Sequence, residues 1–256
     1  MSSTQIKSIN QVISTLDEII SETEKNENPL GYFAALYQNV TIKVKEGIQN
    51  NFFEDGPRME KLDIIFAKRY IDAYYAWQKN EELSKSWQKA FKLSDDYWPI
   101  VLQHLLIGMN AHINLDLGIA AAEVSKNRNI NDLEDDFNKI NEVLSSLVNE
   151  VQNDLANMWP TLKKILQKTK KVDDFMVDFS MELARNGAWK FAVTISETPE
   201  VNVEELITKR DEKIARKAGI INYPGFLAKI LLGIIRLGEK GTVKERIIQL
   251  AANYPI

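Results

Sequence analysis

The chain's only two imidazoles, His104 and His112, both fall inside one apolar stretch, Pro99–Ala122 (PIVLQHLLIGMNAHINLDLGIAAA). The same stretch carries Gln103, Asn110, Asn114 and Asp116. A buried helix must satisfy that many polar groups, because each one left unpaired costs roughly 1–3 kcal/mol. Such a cluster is either a structural hydrogen-bond network or a reactive site. An α-helix advances about 100° and 1.5 Å per residue, which sets His112 and Asp116 one turn apart and about 40° apart in azimuth. That is the geometry of an imidazole with its orienting carboxylate, or of two ligands to one divalent metal ion. His104 lies eight residues earlier, about 12 Å down a regular helix and about 80° round. The two histidines can share a metal only if the helix breaks, and Gly108 is the position that would allow it. Gln103, Asn110 and Asn114 form a second polar stripe, separated from the first by Leu106, Ile107, Ala111 and Leu115.

Other segments supply candidate partners. Glu60 and Asp63 are three apart and share a helix face. Arg69 lies on an apolar stripe with Met59, Leu62, Phe66 and Ala73. An arginine placed there needs a carboxylate, and Asp116 or Asp136 would serve; otherwise its stem covers the core while its head reaches water. Asp136 belongs to the acidic run LEDDF, whose contiguous carboxylates fan around a helix and read as a solvated face. Asp55, Arg58 and Glu60 read as capping and charge complements at a helix start. Asp178 and Arg185, two turns apart, read as an ion pair or as two charges in a pocket. The catalytic candidates are therefore His112, Asp116, His104, Arg69, Asn110 and Asn114. The candidate metal ligands are His112, Asp116, Glu60, Asp63 and Asp136, with a divalent ion as the implied cofactor. Tyr32, Phe33, Tyr37, Tyr70, Tyr74, Tyr75 and Trp77 are core residues that would also wall an apolar ligand cavity.

The elements that position these groups are helices throughout. Apolar residues recur at three- and four-residue spacing along nearly the whole chain of 256 residues, and strict alternation is scarce. Helices are expected over Gln5–Thr23, from Pro29 (capped by Asn28) to about Gln49, over Arg58–Lys79, and near Leu83–Phe91. The central helix follows, with Ser94, Asp95 or Asp96 as its cap. Leu133–Thr169 is helical with a break at Pro160, and Asp173 or Asp174 opens a helix that runs to Val193. Pro199 opens a charged helix ending near Gly219. Pro224–Leu237 reads as a packed helix, and Thr242 with Glu245 as a capping box for the last one. The expectation is an all-α, single-domain bundle of about eight to ten helices around a buried helix near Pro99–Ser125, with residues 199–256 as an appendage.

Composition removes several classes. With 45% hydrophobic and 27% charged residues and a net charge of -4, the chain has no general basic field for nucleic acid; the basic run LKKILQKTKK is local. The absence of cysteine removes thiolate nucleophiles, cysteine zinc sites and iron–sulfur clusters. Neither histidine follows a glutamate by three residues, as bundle-type di-iron sites require. There is no HExxH, P-loop, GxGxxG or GxSxG motif. No uninterrupted apolar run reaches about 18 residues, and the first twenty residues lack the pattern of a secretory signal. A cytoplasmic location with no membrane span is expected.

Five ordered blocks carry a family resemblance: NPLGYFAALYQNVTIKVKEGI, FFEDGPRMEKLDIIFAKRYIDAY, IVLQHLLIGMNAHINLDLGIAAA, DFNKINEVL and DFSMELARNGAW. Over roughly Pro29 to Ala192 the chain resembles a bacterial domain-of-unknown-function family, number five-nine-nine-five in that series. The resemblance implies a helical fold and brings no activity or catalytic residue with it. Two function classes stand. One is an enzyme acting on a small, largely apolar substrate by acid–base or metal-assisted chemistry at His104, His112 and Asp116. The other is a non-catalytic ligand-binding or scaffold protein whose His/Asn/Asp cluster is structural.

Overall fold

The computed structural model describes residues 6–140, 143, 181–222 and 226–252. Among these residues there are ten α-helices and no strand. Helix α1 spans Ile9–Lys25, with the Ser8 side chain accepting from the Gln11 amide at its start. Helix α2, Leu30–Gln49, follows the expected Asn28–Pro29 entrance, where Asn28 Oδ1 accepts from the Leu30 amide. Helix α3, Gly56–Gln78, opens on the Asp55 cap with Pro57 in its first turn, where a missing amide costs nothing. Helix α4 is Lys85–Lys92, and a short 3-10 turn at Leu93–Asp95 extends it.

The central element differs from expectation at both its start and its break. Ser94, Asp95 and Asp96 do not cap it. Proline disfavours helical geometry in the residue before it, so the chain stays non-helical through Trp98 and α5 begins at Val101. The first turn of α5 is closed by side chains from two directions. Gln103 Oε1 accepts from the Ile100 amide at 3.1 Å, and the buried Glu239 carboxylate accepts from the Val101 amide at 3.0 Å. Helix α5 runs regularly through Gly108 to Ala111. The break comes four residues later than that glycine, as a π turn at His112–Asp116, after which α6 continues as Leu117–Val124. Gly108 serves packing instead: a Cβ there would sit 2.5 Å from Phe33 Cδ2.

Helix α7 (Met181–Glu197) lies along α6, and α8 (Glu200–Asn222) crosses α4 and α5. The close approach of α7 and α6 depends on Gly118, where a Cβ would meet the Ala188 carbonyl oxygen at 2.8 Å. Helices α9 (Phe226–Gly238) and α10 (Val243–Ala251) complete the described chain. The Thr242–Glu245 capping box forms as expected, and α10 packs on α1 and α2, with Asn39 Nδ2 donating to the Leu250 carbonyl at 2.8 Å. Of the long helix expected over Leu133–Thr169, residues 134–140 and 143 are described and are helical; the rest of it, and Asp178, lie outside the described residues.

The result is an all-α bundle around a central helical rod. Continuous from Val101 to Val124, the rod is long and apolar enough in composition to cross a membrane, yet 94% of its most apolar window is buried inside this fold. Its flanks are covered by α2, α3, α4, α7 and α8. Two large apolar clusters meet along it: one built on Leu16, Ile71, Leu105 and Ile107, the other on Met59, Leu62, Leu117 and Ala121.

Candidate functional site

A π turn widens the helix by one residue, so the Leu117 amide reaches back five positions to the His112 carbonyl. Helix α8 braces this irregular turn through Arg210 Nε, which donates to the Asn114 carbonyl at 3.0 Å. Within the turn, His112 Nδ1 lies 3.1 Å from Asp116 Oδ2. Asp116 also receives Trp87 Nε1 on Oδ2 at 2.8 Å and Arg69 Nε on Oδ1 at 2.7 Å. Arg69 thus finds its carboxylate in Asp116, one of the two partners expected for it. Three donors from three elements converge on one carboxylate that is only 1% exposed.

The electrostatics follow from that convergence. Burial pushes the Asp116 carboxyl up, but Arg69 and His112 together hold it below its ordinary value. Burial is also the largest influence on His112 and lowers it; Arg69 adds to this, and Asp116 only partly offsets it. His112 is therefore neutral at pH 7. An ionised carboxylate only accepts, so Nδ1 carries the proton and Nε2 carries the lone pair. That Nε2 atom is buried and makes no hydrogen bond among the described residues.

Aromatic rings enclose the imidazole. Phe66 stacks on it at 3.6 Å between centroids, and Tyr37 stands edge-on at 4.5 Å. Trp87, Phe33 and Tyr70 follow at 5.7, 5.8 and 6.1 Å. The Tyr37 hydroxyl and Asp63 Oδ2 are also buried and without a hydrogen bond among the described residues. Burial raises Tyr37 well above its ordinary value, with Asp63 and Asp116 adding to the rise, and Thr41 offsets little of it. Burial, with Glu60 beside it, raises the Asp63 carboxyl to about 8, so Asp63 is largely protonated at neutral pH.

The remaining candidates lie elsewhere. His104 packs against Tyr32 at 5.6 Å, and burial together with Arg236 pushes it down to about 3. Its neighbourhood is a separate ionic knot, in which the buried Glu239 holds both Arg236 and Arg246. Asn110 and Asn114 also do not join His112. Asn110 Nδ2 donates to the Ile214 carbonyl at 3.1 Å, Asn114 Nδ2 to Asn110 Oδ1 at 3.3 Å, and Gln103 Nε2 to the Ile221 carbonyl at 3.2 Å. The second polar stripe thus cross-links the rod to α8.

The five candidate metal ligands do not gather. Glu60 Oε1 accepts from the Ile9 amide at the start of α1. Asp136 is buried rather than solvated, unlike its exposed neighbours Glu134 and Asp135. Its two oxygens take the Glu54 and Asp55 amides at 2.8 Å each, which fixes the turn before α3. Among the described residues no group of three or more His, Asp and Glu side chains is placed to hold a metal ion. His112 and Asp116 are adjacent, and the five candidates by themselves do not make a three-ligand site among the described residues.

Trp87 and α8 were not legible as site residues. Asp211 of α8 accepts the Lys85 and Ser86 amides at 2.7 and 2.9 Å, pinning the first turn of α4 and with it Trp87. The only local signal was the Ser84 cap of α4, which fixes where that helix begins but not which way its indole reaches.

A sequence profile described as a family of unknown function (DUF5995) matches residues 9–224. No curated protein and no solved structure matches the chain.

Proposed function

Taking as premise that the chain belongs to the family of unknown function DUF5995, we propose that it is an enzyme performing acid–base chemistry on a small, largely apolar substrate at His112. One observation carries this reading: His112 is anchored through Nδ1 while Nε2, which bears the lone pair, is buried among aromatic rings with no hydrogen bond among the described residues. In this reading Nε2 is the general base. Asp116 fixes the tautomer and stabilises the imidazolium that forms on proton uptake. Arg69 and Trp87 are positioning residues that hold Asp116 anionic and in place. Asp63, protonated near pH 7, supplies a proton donor of opposite role, in keeping with sites whose two titratable groups are pushed apart by environment.

The test is turnover of a panel of uncharged small esters, lactones, ketones and epoxides by wild type, His112→Asn and Asp116→Asn. The expected result is at least one substrate whose turnover falls by about 100-fold or more in His112→Asn while the helical circular dichroism is unchanged. Turnover unaffected by His112→Asn, or no turnover of any member by wild type, overturns the reading.

A second reading is supported by burial. His112 and Asp116 side chains are 2% and 1% exposed, and both Asp116 oxygens are satisfied. On that reading the four-residue network is a specificity device of the core. It requires His112→Ala to cost much stability and to leave ligand binding intact.

A further inference from the structure

We infer a second site, independent of His112: a phosphate-binding site at the entrance of α3, built from Arg58, Ser125 and Arg128.

Arg58 is the starting point. It stands in the first turn of α3, which holds no acidic residue, and it is only 6% exposed. A cation is unfavourable there twice over. The partial positive charge of a helix N-terminus repels it, and burial strips away its water. Buried guanidinium groups are ordinarily held by a carboxylate, as Glu239 holds Arg236 and Arg246 elsewhere in this fold. Arg58 makes no ion pair among the described residues. Its Nη2 donates to the Ser125 hydroxyl, a neutral acceptor, at 2.9 Å, and its Nε is buried with no hydrogen bond among the described residues.

The surroundings close into a ring. The Ser125 carbonyl accepts the Arg128 amide at 2.9 Å, which folds Arg128 back toward the end of α6. Arg128 Nη1 lies 3.6 Å from Asp55 Oδ2, and Asp55 Oδ1 accepts the Arg58 amide at 3.0 Å. Both arginines are thereby tied to Ser125 and to Asp55, yet Asp55 hydrogen-bonds neither guanidinium: one oxygen is spent on the amide, and the other is too far from Arg128. The neighbouring carboxylates are committed as well. Asp136 takes the Glu54 and Asp55 amides, and Lys139 reaches Asp136 and Glu54 at 3.3 and 3.1 Å. The ring lies at the edge of the fold, since Lys126, Asn127 and Arg128 are exposed. The other open buried atoms lie apart from it. Asp63 is about 140° round α3 from Arg58, and Tyr70, beside His112, is about 18 Å further along by helical rise. Arg185, on α7, has a partner of its own.

The donors select the ligand. Arg58 offers Nε–H, the Ser125 hydroxyl gives its proton to no described residue, and Arg128 offers a guanidinium whose side chain is 62% exposed. Three separate donor groups suit an anion with more than two oxygens, and planar guanidinium forks match phosphate oxygens. A phosphate group would supply the negative charge that Arg58 lacks and would lie favourably at the start of α3.

The experiment uses the full chain at pH 7 with inorganic phosphate, methyl phosphate, acetate and chloride at equal ionic strength. Nitrogen NMR of arginine-labelled protein reads the Nε–H groups, with that of Arg58 assigned by its through-space contact to the Ser125 side chain; affinity is read from the same titration and from phosphorus NMR. The expected result is a saturable shift of the Arg58 Nε–H signal with inorganic or methyl phosphate, acetate at least about tenfold weaker, and no shift with chloride. Arg58→Lys keeps the charge and loses the fork, and should weaken phosphate about tenfold or more. Arg128→Gln, at an exposed position, should weaken it by less, about threefold. Tighter methyl phosphate names a phosphomonoester as the ligand, and tighter inorganic phosphate names the free ion. No shift at Arg58, an equal response to chloride, acetate as tight as phosphate, or undiminished binding in the arginine variants overturns the inference. If Arg58→Lys does not fold, the anion series and Arg128→Gln still decide. His112→Gln should leave phosphate binding unchanged, so failure of the enzyme reading and failure of this site are told apart.

Discussion

The indole Nε1 of Trp87 donates to Asp116 Oδ2 at 2.8 Å, joining two residues 29 positions apart at the oxygen that His112 Nδ1 also meets. A hydrogen bond to a buried carboxylate is stronger than a neutral one, about 1.5–3 kcal/mol. Trp87→Phe keeps most of the ring and removes the donor. It should lower unfolding free energy by about 2–4 kcal/mol in urea titration. It should also shift the His112 ring nitrogens, since Asp116 loses one of its three anchors. An unchanged His112 spectrum would show that the indole is mere packing.

Arg69→Met addresses the charge itself. Removing the cation leaves Asp116 buried with only neutral donors, and breaking a buried pair typically costs about 3–5 kcal/mol; the 32% exposure of the Arg69 side chain argues for the lower end. The pH dependence should also change sign for this group. In wild type Asp116 is held below its ordinary value, so its contribution is present above about pH 4 and lost on acidification. In the variant the carboxyl rises instead, and acidification should recover part of the lost stability. Urea midpoints of the two proteins between pH 4 and 7 test this.

Asp63 and the histidines bend stability in opposite directions. The folded-state value of Asp63 is raised from 3.8 to about 8, so its contribution is complete below about pH 4 and is lost as pH rises to 8. His104, lowered from 6.5 to about 3, contributes fully above pH 6.5 and loses its contribution as pH falls toward 3. His112 acts in the same direction as His104. Wild-type stability should therefore peak near pH 6.5 and decline toward pH 8, by up to about 1.4 kcal/mol per pH unit. Asp63→Asn should abolish that alkaline decline and keep the acid limb. A decline of equal slope in the variant would assign it to another group.

Gly108→Ala tests the packing behind His112. The new Cβ would fall 2.5 Å from Phe33 Cδ2, and Phe33 lies 5.8 Å from the imidazole. Overpacking of this kind costs about 1–3 kcal/mol, partly offset by the better helix propensity of alanine. A drop in melting temperature with a moved His112 resonance is the expected outcome. A stabilised variant would mean that Phe33 turns aside without strain.

The sequence by itself determined the helices and the place to look. Three- and four-residue periodicity, the Pro29 and Pro57 entrances and the Thr242 box are local signals, and each survives because helix formation and capping are decided within a turn or two. The pairing of His112 with Asp116 was legible for the same reason, being a contact one turn long. Asp136 shows the limit: its run reads as a solvated face, yet its carboxylate closes a turn more than eighty positions away. The separation of His104 from His112 was likewise legible from eight residues of helical rise, and the regular turn through Gly108 keeps it; the π turn, the indole of Trp87 and the brace from Arg210 were decided only by tertiary structure. Each depends on which helix crosses which, and at what height along the central rod. A side chain's period places it on a face; only packing determines what that face meets, and hence whether a polar atom there is satisfied or left open to a ligand.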